Sequence, residues 1–135
     1  MREEIVDSLV TDLEGSGVFK RVYKNLGLHW SQIKEFPAAA VIYESEEKEL
    51  DNLSSRACYY KGVIQIAVYN KQPKNKYDDI LSELIDEVYR VIENNEILCC
   101  KVVRADVAGF KRDGGIAHPH AVALISVYVR YKLAL

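Results

Sequence analysis

A chain of 135 residues is long enough to bury one sizeable core without disulfides or metal, and 49% apolar with 28% charged residues is ordinary globular composition, which excludes disorder. A net charge of −2 excludes bulk attraction to nucleic acid or to an anionic membrane, so any such contact has to be local. The sequence reads as a single domain over residues 1–135. It contains no run of the ~20 apolar residues that a membrane span needs, and the acidic opening segment lacks the apolar stretch of a signal peptide, which predicts assembly in the cytoplasm.

Ile5, Leu9 and Leu13, with Val6 and Val10, recur at helical spacing, and Glu3 and Glu4 sit where the helix dipole is positive. Gly15-Ser16-Gly17 predicts the stop. Residues 18–24 alternate, Phe19 and Tyr23 against Lys20 and Lys24, as a short lysine-guarded edge strand does. Residues 25–35 follow no period. Pro37 restricts Phe36 to an extended conformation, so the first core strand is placed at 38–43. The charged run 44–51 is predicted to end it and, with the polar residues up to Arg56, to form a loop of about a dozen residues, longer than a compact hairpin needs.

Residues 56–70 return as the second strand. A basic turn at 71–76 precedes a helix over 78–93, capped by Asp78 or Asp79, with Ile80, Leu81, Leu84, Ile85, Val88, Val91 and Ile92 as its apolar stripe and Asn94-Asn95 as its end. A third strand at 99–110, a loop at 111–115 and a fourth strand at 119–133 complete the order. The predicted fold is α+β: a mostly antiparallel sheet of about four core strands plus a short edge strand, with two helices packed on one face. Cys58, Cys99 and Cys100 are an odd number on strand-like segments and read as buried free thiols.

Two strands are apolar on both sides. In 121–135 the odd residues from Ala121 to Leu133 are apolar without a break, and Val122, Leu124 and Tyr128 add apolar character to the even set; 60–69 behaves alike. Four strands ~4.8 Å apart span ~19 Å, which two helices each ~10 Å wide cover on one face only. The second face needs another cover, and a neighbouring subunit is the natural one.

Motifs for chemistry are sparse. Gly114-Gly115 lies between strands rather than opening a helix, so it is no phosphate cradle, and there is no HExxH, CxxC or GxSxG. His118-Pro119-His120, with His29 and Asp113, is the nearest approach to a metal set. Zinc wants three or four convergent ligands, whereas strand alternation sends neighbouring side chains apart, so these are read as loop or strand-entry histidines. Asp106 shares a face with Arg104, the usual solvated or paired arrangement. Nine tyrosines among basic residues suit strands as well as base stacking, and the acidic balance favours strands. No catalytic, cofactor or metal residues are assigned.

Charge is distributed with more order. The acidic run and the basic turn fall at opposite ends of the first strand pair, which suits head-to-tail contacts that close into rings. Glu46, Glu47 and Glu49 are expected to face Lys71, Lys74 and Lys76 of a neighbour or of a stacked partner ring, and the loop carrying Lys111, Arg112 and Asp113 completes the candidate interface.

This ordering resembles the tail terminator family of long-tailed bacteriophages, also called minor tail or tail completion proteins. The likeness is carried by the helix ending at Gly15-Ser16-Gly17, then Val18-Phe19-Lys20-Arg21-Val22-Tyr23, then Phe36-Pro37 entering Ala38-Ala39-Ala40-Val41-Ile42-Tyr43. The amphipathic helix 78–93 and the loop Asp113-Gly114-Gly115 leading into 121–129 follow. The resemblance implies a non-enzymatic virion protein of the tail and neck, assembled in the host cytoplasm. It implies a homo-oligomeric ring, a hexamer, with the tube protein and the head–tail connector as partners, no membrane, and DNA only as passing cargo. Two other classes fit the residues: a homodimeric ligand-binding or regulatory domain using the second sheet face, and a small enzyme using Asp106, His118 or His120.

Overall fold

The computed structural model describes residues 2–24, 33–49, 57–71, 77–94, 102–112 and 120–134. Helix α1 (Arg2–Gly15) leads to β1 (Arg21–Lys24), followed by β2 (Ala38–Lys48), β3 (Ala57–Lys71), α2 (Tyr77–Asn94), β4 (Val102–Arg112) and β5 (His120–Ala134). The strands form one sheet in the order β1-β2-β3-β5-β4. β1 runs parallel to β2, Arg21 beside Ala38; every other pairing is antiparallel. The α+β layout with a short edge strand is the one the sequence predicts.

Helix α1 stops where a left-handed residue is required. Gly17 has φ +75°, which glycine adopts without a Cβ clash, and the Ser16 hydroxyl donates to the Leu13 carbonyl at 2.6 Å. β1 starts at residue 21 rather than 18. Phe19 is drawn into the core instead, and the Lys20 amide donates to the Pro37 carbonyl at 2.8 Å just before the β1–β2 register begins.

The main core lies between sheet and helices. Ile5, Val6, Leu9 and Leu13 of α1 and Leu81, Leu84, Ile85, Val88, Val91 and Ile92 of α2 meet every second strand residue: Ala39 and Val41, Ile64 to Val68, Ala123 to Tyr131. α1 lies over β1 and β2, and α2 over β4 and β5. Both helices therefore share one face, as width alone requires.

The acidic run does not end β2. Tyr43 stands opposite Ile64 and Ser45 opposite Val63, so Glu44 is an extra residue, a bulge, and pairing resumes to Lys48 opposite Tyr60. The bulge reverses which side each acid faces, and that is how a charged segment stays in a sheet: Glu46 turns to the helix side while Ser45 and Glu47 turn away. The expected long loop at 44–56 shrinks accordingly, and Lys111 and Arg112 belong to β4 rather than to a loop.

The second face is covered at one end by the chain itself. Ile33, Ala38, Ala40, Ala67 and Tyr69 are buried there, with Tyr23, Phe36 and Val122 packed against them. The need for an outside cover is thus restricted to the rest of the face, where Leu124, on β5 in the row of Ala40 and Ala67, is 43% exposed and Tyr128, nearer the other end, 56%.

Candidate functional site

Strand registry fixes what the open end presents. Three rows run across β2-β3-β5-β4: Ile42, Gln65, Ser126, Gly109; then Ser45, Val63, Tyr128, Asp106; then Glu47, Lys61, Arg130, Arg104. The first is uncharged, with Gln65 and Ser126 at its centre, the second centres on an exposed tyrosine, and the third is ionic. Two shallow depressions of about 440 Å³ each meet at Tyr128. One reaches Glu47, Lys61 and Arg104, the other Phe110, Lys111 and Leu124.

Polar groups on this face are already organised. Gln65 Nε2 donates to Glu44 Oε2 at 2.9 Å, and the Ser126 hydroxyl donates to Gln65 Oε1 at 3.2 Å. Arg130 reaches both oxygens of Glu49, at 2.8 and 3.0 Å, with its guanidinium 4.0 Å from the Tyr59 ring centroid. Hydrogen bonding by Arg130 holds the Glu49 carboxyl below the usual glutamate value. Arg104 Nε lies 2.6 Å from Asp106, the paired one of the two arrangements open to that residue.

On the helix side, Glu46 is a junction. Arg2 Nε donates to it at 2.8 Å, the Tyr43 hydroxyl donates at 3.2 Å and the Tyr131 hydroxyl also donates. Tyr131 in turn stacks on Tyr60 with ring centroids 5.5 Å apart. The Arg2 hydrogen bond is the main reason that the Glu46 carboxyl is held low, and burial pushes the Tyr131 and Tyr43 phenols up. The first turn of α1 is thereby tied to the arm of β2 beyond the bulge.

The predicted interface residues separate into groups. Glu46 and Glu49 are occupied within the chain, by Arg2 and Arg130. Glu47 is exposed on the open face, as is Lys111. Lys71 is exposed ten residues along β3 from Lys61, ~33 Å at strand rise from the row of Glu47, a row that also carries Lys61, Arg130 and Arg104 and so mixes both signs. Arg112 turns to the helix side and donates to Ser82 at 2.7 Å. Lys74, Lys76 and Asp113 lie outside the described residues, as do His29, His118, Trp30, Cys99 and Cys100. Among the described residues no three His, Cys, Asp or Glu could hold a metal, and no helix is long and apolar enough to cross a membrane.

Lys61 and Arg104 were not among the interface residues that sequence pointed to, and Leu124 and Tyr128 figured there only as apolar residues of a face that needs a cover. Their signal was parity: each is on the same side as the others once the registers are known, but the bulges after Tyr43 and Val107 shift that parity within a strand.

These features define an α+β domain with two helices on one sheet face and an accessible surface, half apolar and half ionic, on the other. Over residues 1–134 the chain matches the family described as Bacteriophage Tail Tube Terminator Protein, and it belongs to that family. It is therefore a phage tail terminator, a structural component of the virion, as the order of its elements suggested. No curated protein matches it.

Proposed function

We propose that this terminator works as a homohexameric ring that caps the last ring of the tail tube and offers its other rim to the head connector. The observation that carries the reading is the half-open sheet face, with Leu124 and Tyr128 exposed beside an ionic row. Exposed apolar groups rimmed by charge mark surfaces that another protein covers. The mechanism is geometric and needs no catalysis: one rim matches the tube, and the other lacks the surface that a further tube subunit requires. DNA passes through as cargo.

Polymerising purified tube protein with and without this chain, and imaging the products by negative-stain electron microscopy, tests the proposal. Capped, shorter tubes bearing a terminal ring are expected. Tubes of unchanged length with no added density at their ends would overturn it.

A further inference from the structure

All three large hydrophobic side chains exposed among the described residues, Phe110, Leu124 and Tyr128, lie on β4 or on β5 beside it. They flank β4 on both sides: Phe110 meets Tyr89 edge-on on the helix side, while Leu124 and Tyr128 stand on the open side. β4 is also a sheet edge, with no strand among the described residues on its outer side. An unpaired edge bordered by apolar side chains is a template for strand addition.

A second free edge exists across the molecule. β1 pairs with β2 only from Ala38 to Val41, so 42–48 has no outer strand among the described residues. The two edges differ in charge. In the rows that 42–48 spans, β4 carries Arg104 and Asp106, while 42–48 carries Glu44, Glu46 and Glu47 against Lys48; Lys111 and Arg112 continue β4 past that stretch, in the rows of Ala40 and Ala39. The two edges also lie at the same height in the sheet, since Ser45 and Asp106 share one row and Glu47 and Arg104 the next.

We infer that β4 of one subunit takes up the free stretch 42–48 of a second copy's β2, extending the sheet from subunit to subunit. The inference rests on the ring reading above and assigns it a contact. Within a subunit β2 and β4 run in opposite directions, and rotation about an axis roughly along the strands keeps each direction, so the new pair is antiparallel. Such a contact is heterologous and closes only as a ring. The bulges after Val102 and Val107, with the one at Glu44, confine regular pairing to 104–106, opposite 45–47 of the copy. There Glu47 of the copy lies beside Arg104, whose side chain is 73% exposed, and Ile42 lies beyond Gly109 toward Leu124 and Tyr128.

The test is cysteine cross-linking combined with charge exchange. In a Cys58→Ser, Cys99→Ser, Cys100→Ser background, Ser45→Cys together with Asp106→Cys should give a disulfide-linked ladder ending at the ring number, while neither cysteine alone should cross-link. Glu47→Arg or Arg104→Glu should each weaken assembly about tenfold, and the double exchange should restore most of it. Assembled wild-type protein whose cysteine pair gives no ladder, and whose charge exchange rescues nothing, overturns this pairing and leaves the ring standing. A dimer from Asp106→Cys alone shows β4 pairing with β4 and overturns it too. Wild-type protein that stays monomeric or dimeric even with tube protein removes the ring reading, and this contact with it.

Discussion

The Tyr43 ring lies against Gly62 across the β2–β3 hairpin, so close that a Cβ at residue 62 would stand 2.9 Å from Tyr43 Cζ and 3.0 Å from Val129 Cγ2. The missing side chain lets the ring lie along β3 and carry its hydroxyl to Glu46. Gly62→Ala should therefore destabilise the fold by about 1–3 kcal/mol through overpacking. Because the closest contacts are with the Tyr43 ring, Tyr43→Ala combined with Gly62→Ala should cost less than the sum of the two, which urea unfolding of both single variants and the double would measure.

Glu46 and Glu47 are neighbours with opposite expectations. Glu46→Ala removes the acceptor of the Tyr131 hydroxyl, whose residue is 2% exposed, and should cost about 1–3 kcal/mol. Glu47 is exposed, and Glu47→Ala should change stability by less than about 0.5 kcal/mol. Equal effects in thermal unfolding would contradict the different sides on which the bulge places them.

Acid should loosen the arm of β2. Glu46 and Glu49 are both held below the ordinary glutamate value of 4.5, so their contribution is fully present above that value and is lost as pH falls through the folded values. Burial shifts Asp12 the other way, and its protonation opposes a small part of the loss. Stability should be level from pH 7 to about 5 and then decline, and Glu46→Gln with Glu49→Gln should make the decline shallower. An unchanged slope in the double variant would show that these carboxylates do not govern it.

Much of this was legible in the sequence because it depends on period alone. The stripe from Leu81 to Ile92 specifies α2, and the doubly apolar 60–69 and 121–135 specify the central strands. What could not be read depends on registry. Nothing local announces that Glu44 is extruded, because Ser45, Glu46 and Glu47 after it are polar too; only the pairing of Tyr43 with Ile64 and of Ser45 with Val63 shows it. The same holds for the second face: Ile33 comes from a segment without periodicity and Phe36 from the position before Pro37, yet they pack with Ala38, Ala40 and Ala67. Small alanines left room for that cover, which is a signal visible only afterwards.

The open face and the core should respond differently to substitution. Leu124→Asp and Tyr128→Glu should leave the unfolding midpoint of the isolated chain nearly unchanged while reducing assembly, since both side chains face out. Ile125→Ala, one residue from Leu124 but fully buried, should cost about 2–5 kcal/mol by leaving a cavity. Loss of folding in the first two variants would place them in the core instead.

The central claim is that this terminator acts as a closed ring, and the absolute mass of the purified protein tests it most directly. It should be measured by light scattering behind a sizing column, over a concentration series, at two salt levels, alone and with tube protein. Six copies, formed alone or on the tube and weakened by salt, are the predicted result. A stable dimer at every concentration, unchanged by tube protein, would contradict the account.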